Sequence, residues 1–169
     1  MASGDTLAIF TPLQNEPAAT SGATIDNRPT TGSPVNWRPV LEFDASADET
    51  AIFTALMPRN YGAGTSINVI IFWVSDASSS GSVMFSVSIE RCDSALDLDG
   101  DSFATAINGA AVTTSGTLGT GTYTSITLTN AEADAIAAGE WFRLRVARVT
   151  ASDTMASDAQ IVGIEIKQA

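Results

Sequence analysis

The sequence predicts an all-β fold: an antiparallel, jelly-roll-like β-sandwich of about eight strands with one short helix. Three observations lead there. Apolar and polar residues alternate with period two in segment after segment, which is the signature of strands with one buried face. The segments are separated by loops rich in glycine, serine and threonine, such as "SDASSSGS" and "TTSGTLGTGT". A single stretch carries helix punctuation. A chain of 169 residues is long enough for one domain with a substantial core.

Taken in order, "TLAIF" (6–10) forms a short strand, and residues 12–35 are too poor in large apolar side chains to form more than an extended arm or long loop. Residues 1–35 are therefore expected as a short strand plus arm and residues 36–169 as the sandwich, within one domain overall. "NWRPVLEFD" sets Trp37, Leu41 and Phe43 against Arg38, Val40 and Glu42. "AIFTALM" (51–57) and "INVIIFWV" (67–74) are apolar on both faces, so they belong at the centre of a sheet or beneath a second copy of the chain.

In "SVMFSVSIERC", Val83, Phe85, Val87 and Ile89 alternate with Met84, Ser86, Ser88 and Glu90. "YTSITLT" sets Thr124, Ile126 and Leu128 against Tyr123, Ser125 and Thr127. The helix is expected over about 130–138, with Asn130 as N-cap, Glu132 and Asp134 in the first turn and Gly139 as the stop. "EWFRLRVARV" points Phe142, Leu144 and Val146 inward and Trp141, Arg143 and Arg145 outward, and Val162, Ile164 and Ile166 alternate in a final strand.

Charge and composition exclude several functions. Nineteen acidic residues against eight basic ones give a net charge of −11, which repels phosphate backbones and anionic lipid, so neither nucleic acid nor membrane is an expected partner. Histidine is absent, removing the commonest general base and transition-metal ligand. The lone Cys92 excludes an internal disulfide. The N-terminus shows no signal-peptide pattern, and the longest apolar run is too short to span a bilayer. No catalytic constellation stands out, and the chain is read as a non-enzyme.

Three groups of residues are candidates for binding. In "LDLDGDSF", Asp97, Asp99 and Asp101 occupy alternate positions, as in an EF-hand loop, but the glycine falls one place early and Asn108 stands where a bidentate glutamate is required. The reading is a solvated acidic turn with no cofactor, calcium at Asp97, Asp99 and Asp101 being the single alternative. Trp141, Arg143 and Arg145 share the outward parity of one strand, either as ordinary cross-strand partners of acids or as an interface anchor. Of the three tryptophans, Trp37 and Trp73 follow inward parity and are expected in the core, leaving Trp141 alone as a sugar-stacking candidate.

The stretches "MPRNYGAG", "FWVSDASSSGSV", "SVSIER", "LDLDGDSFATA" and "LTNAEADAIAAGEWFRLRVARVTASDTM" together resemble small jelly-roll virion proteins of tailed bacteriophages. The resemblance implies a structural virion protein, chiefly a capsid decoration or cement protein. Such a protein is made in the host cytoplasm, sits on the capsid surface, assembles with itself as a trimer and binds the major capsid protein. A tail-fibre or appendage domain is the alternative within that class, and a carbohydrate-binding β-sandwich module is the alternative outside it.

Overall fold

The computed structural model describes residues 2–16, 18–62 and 64–169. Its strands are Thr6–Phe10 (β1), Thr24–Pro29 (β2), Trp37–Phe43 (β3), Thr50–Leu56 (β4), Ile67–Ser75 (β5), Ser82–Val83 (β6), Phe85–Cys92 (β7), Ile107–Asn108 (β8), Val112–Thr113 (β9), Thr122–Leu128 (β10), Trp141–Arg148 (β11) and Ala159–Gln168 (β12). They form an antiparallel β-sandwich. One sheet runs β10-β5-β12-β3-β2 with β1 also paired to β12; the other runs β4-β11-β7-β8; β6 and β9 pair by themselves. The count of twelve exceeds the expected eight because short strands such as β6, β8 and β9 span two residues each, too few to show a period.

The two inward faces meet as the alternation predicts. Ile67, Val69, Ile71 and Trp73 of β5 and Ile164 and Ile166 of β12 are buried opposite Phe53 of β4, Phe85, Val87 and Ile89 of β7, and Phe142, Leu144 and Val146 of β11. Aromatic rings bridge the sheets: Phe43 and Trp73 lie edge-on to Phe85 at 5.8 and 6.1 Å, and Phe10 lies 5.2 Å from Phe53. The buried Trp73 indole donates to Thr124 Oγ1 at 3.0 Å, so its polar end is satisfied inside the core. β5 is central, between β10 and β12, and its outward Phe72 stacks on Tyr123 of β10 at 4.8 Å, whereas the other run that is apolar on both faces, β4, lies at the edge of its sheet.

Three expectations are corrected by packing. Residues 130–138 form no helix. The Ala133 amide bonds Thr129 O, as in one helical turn, but Asp134 and Ala135 then take φ of 56° and 51°, a left-handed conformation that ends any helix. The turn is set by its tertiary role: Ala133 and Ile136 plug the core, and Asp134 Oδ2 accepts the Arg91 amide at 2.8 Å. Trp37 keeps the inward parity of Leu41 and Phe43 but is 64% exposed, because β12 pairs only with residues 41–43 of β3 and the β2–β3 hairpin runs out beyond the sandwich. The N-terminal segment is stitched to both sheets rather than free. β1 lies on β12, β2 is an edge strand on β3, and Glu16 and Ala23 donate backbone hydrogen bonds to Ile52 and Thr50 along β4, covering an otherwise open edge.

Gly81, before β6, shows how tightly the loops are set. Its φ is +113°, and a Cβ there would stand 2.5 Å from Thr154 O. Gly81→Ala is expected to cost about 1–3 kcal/mol, measurable as a lower urea midpoint with an unchanged slope.

Candidate functional site

The outward face of the four-stranded sheet gathers the distinctive side chains. On the strand β11, Trp141, Arg143 and Arg145 alternate outward, and cross-strand register fixes their neighbours. Trp141 sits between Leu56 and Cys92, Arg143 between Thr54 and Glu90, and Arg145 between Ile52 and Ser88. Trp141 is 55% exposed and Leu56 41%, making an apolar shelf at one end of the face. Beyond Ile52 lies Glu16, joined to β4 by an isolated bridge, and its carboxylate accepts the Thr54 hydroxyl.

Beside this shelf the loop 93–106 crosses back over β7, which is why the outward residues Ser88 and Glu90 are buried. Glu90 is fully buried and accepts the Ser102 amide at 2.7 Å and hydroxyl at 2.9 Å, while the Arg143 Nε donates to its other oxygen. Arg143 Nη2 reaches Asp101 at 2.8 Å. Phe103 of the same loop lies under two guanidiniums, 5.0 Å from Arg143 and 4.5 Å from Arg145, a cation–π arrangement that holds both planes in place. Arg145 Nε donates to Ser88 Oγ at 3.1 Å. Burial raises the Glu90 pKa, but the Arg143 guanidinium and the Ser102 donors outweigh it, and the carboxyl stays below its ordinary value. The same Glu90 contact holds Arg143 above its ordinary value. Cys92 is raised by burial and by Glu90, the opposite of an activated thiolate.

Two of the three aspartates in the run make local bonds. Asp101 pairs with Arg143, and Asp97 Oδ1 accepts the Asp99 amide at 3.0 Å. Among the described residues no three His, Cys, Asp or Glu side chains are gathered to share a metal ion. A shallow cleft of about 330 Å³ lies behind the loop, lined by Arg91, Asp93, Asp97, Ser102 and Asp134 among others. The Arg91 guanidinium there is occupied by Glu140 at 2.6 and 2.7 Å.

Of these residues, period-two parity brings Trp141, Arg143 and Arg145 together on one face. It does not identify Glu90 or Phe103 as their supports, since both act through a loop crossing. A lone phenylalanine in an acidic, serine-rich loop is the only signal that the sequence offers for it.

The fold is shared with carbohydrate-binding modules. A family 35 carbohydrate-binding module from Cellvibrio japonicus superposes with a TM-score of 0.55 at 13% identity, over 95% of this chain and 92% of that one. A family 35 module from an environmental isolate gives a TM-score of 0.54 at 12% identity, over 96% and 98% of the two chains. No protein-family model and no curated protein matches the sequence. The likeness overturns the bacteriophage reading: whole-chain superposition is with carbohydrate-binding modules, and nothing points to a virion protein. The decoration or cement role and the capsid-surface location expected from the sequence are corrected with it. The short strands and serine-rich turns that carried the resemblance are features of jelly rolls in general. Both of these neighbours are binding modules.

Proposed function

We propose that the chain is a non-catalytic glycan-binding module whose ligand lies on the outward face of the four-stranded sheet. The observation that carries this reading is Trp141, a half-exposed indole on a strand paired on both sides and flanked by fixed hydrogen-bonding groups. A pyranose presents an apolar C–H face and a rim of hydroxyls. Trp141 and Leu56 match the first, and Glu16, Thr54, Asp101 and the arginines match the second. The likeness to modules that bind carbohydrate supports the same ligand class. Trp73, by contrast, is fully buried and takes no part, and Trp37, although 64% exposed, stands at the end of the β2–β3 hairpin beyond the residues of β3 that β12 pairs, away from the four-stranded face.

A shallow face with a single large aromatic predicts modest affinity, with Kd on the order of 10⁻⁴ M. Affinity electrophoresis against xylan, mannan, β-glucan and pectin tests the reading. Trp141→Ala is expected to weaken binding by about tenfold or more, equivalent to about 1.4 kcal/mol, with its melting temperature little changed. Tyr123→Ala, which removes an exposed aromatic from the opposite sheet, is expected to leave binding intact. Loss of binding in Tyr123→Ala with retention in Trp141→Ala would move the site to the other face.

A further inference from the structure

The outer face of the six-stranded sheet carries an apolar patch that the glycan-binding reading does not use. Strand register sets its membership. Tyr123 of β10 lies beside Phe72 of β5, and Phe72 beside Gly163 of β12, while Ile70 of β5 and Ile9 of β1 flank Glu165 two residues further along β12. Tyr123 is 64% exposed and Ile9 65%; Phe72 and Ile70 are half-buried. Tyr123 and Phe72 stack at 4.8 Å, and the Phe72 ring fills the space beside Gly121, where a Cβ would stand 2.0 Å from it. The patch is therefore preformed. Gly163 leaves a notch in it: within 4 Å, a Cβ there would meet only Phe10 O, at 3.5 Å.

Charge singles out this face. With nineteen acidic residues against eight basic ones, the chain as a whole repels its own copies. The charged side chains that the register turns outward from this sheet nevertheless balance, Arg28, Arg38 and Lys167 against Asp26, Glu42 and Glu165. The net charge of −11 is thus carried elsewhere. Part of the face is closed by the chain itself, since Arg28 reaches Ser75 O and Gln160, and Val40, Val74 and Gln160 are buried. The apolar part left open is the half that holds Tyr123 and Ile9.

We infer that this patch is the contact surface of a twofold dimer, packed against the same patch of a second copy of the chain. An isologous pair needs one surface that fits itself. Here each copy offers both projecting rings and a notch, so that Tyr123 and Phe72 of one seat against Ile9 and Gly163 of the other, and reciprocally. A basic partner is held better by the acidic surface elsewhere on the molecule. A neutral patch favours a partner that is itself acidic, as a second copy is. The face is five strands wide and about seven residues long, roughly 24 by 23 Å. Each copy can therefore bury on the order of 600 Å², the low end for a specific pair. That size predicts a Kd on the order of 10⁻⁵ M. Trp141 lies on the other sheet, so both copies keep that face open, and the inference does not rest on the glycan-binding reading.

The test is sedimentation velocity of the whole chain at concentrations from about tenfold below to about tenfold above that Kd. Wild type is expected to pass from monomer to dimer across the range. Tyr123→Arg and Ile9→Arg each place a charge in the patch at a position already open to solvent. Each is expected to raise the dimer Kd by about tenfold or more, with the melting temperature of the dilute monomer little changed. Gly163→Ala fills the notch at a backbone conformation open to any residue, and is expected to weaken the dimer severalfold while the monomer stays folded. Trp141→Ala is expected to leave the dimer Kd unchanged. A chain that stays monomeric throughout overturns the inference, as does a trimer or an open-ended polymer. A dimer that survives both arginine variants, or one lost in Trp141→Ala but kept in Tyr123→Arg, also overturns it.

Discussion

Asp153→Ala lowers the free energy of unfolding by about 3–5 kcal/mol, as large as the loss of a buried core aromatic. Arg148, at the end of β11, has no exposed surface, and Asp153 is 3% exposed. Its Nε donates to Asp153 at 2.6 Å, Nη1 to the carbonyls of Phe43 and Ser157 at 3.0 Å, and Nη2 to Met155 O at 2.9 Å. One buried guanidinium thus ties β3 and the 153–157 loop to β11. Removing the carboxylate leaves that charge desolvated and unpaired, and also takes from the Met155 amide the nearer of its two acceptors, at 2.9 Å, leaving Ser82 O at 3.2 Å. Against a total stability of about 5–15 kcal/mol, the loss appears as a fall in melting temperature on the order of 10 °C. Lys167→Ala provides the contrast. Its pair with Glu165, at 3.3 Å and about one-third exposed, is worth no more than about 1 kcal/mol.

Glu90 carries the second large effect, and it depends on pH. Glu90→Ala is expected to cost about 2–4 kcal/mol, because it removes the acceptor of the Ser102 amide and the buried partner of Arg143. Asp101 remains within reach of Arg143, which keeps the loss below that of Asp153→Ala. The Glu90 carboxyl is held below its ordinary value of 4.5. Its contribution is therefore complete above that pH and is lost as the pH falls through the lower folded-state value. Asp44, Asp48, Glu132 and Glu140 are lowered likewise by hydrogen bonds or by Arg91, so wild type weakens steadily in acid. In Glu90→Gln the neutral-pH stability is lower but the decline between pH 5 and pH 3 is shallower. Urea midpoints at several pH values check this, and parallel wild-type and variant curves would show that Glu90 does not titrate as described.

Much of the fold is legible in the sequence, because period-two alternation is set locally by which face meets the core. Phe142, Leu144 and Val146 against Trp141, Arg143 and Arg145 is such a case. The helix at 130–138 failed because its capping residues were read without the demand that Asp134 reach the Arg91 amide. Trp37 failed for a related reason: parity gives the side of a strand, not whether the facing sheet extends that far. Glu90 and Phe103 become functional neighbours of Trp141 only when the loop 93–106 folds over β7, a long-range contact with no local period. The bacteriophage resemblance rested on turn and strand composition, which any jelly roll can share.

The most direct test of the glycan surface is amide and indole NMR of the labelled protein titrated with the best-binding oligosaccharide from the panel. The predicted result is that the Trp141 indole N–H and the Arg143 and Arg145 side-chain signals shift together, with the Leu56 and Thr54 amides. Shifts confined to Tyr123 and the six-stranded sheet, or to the cleft lined by Asp93 and Asp134, would contradict it.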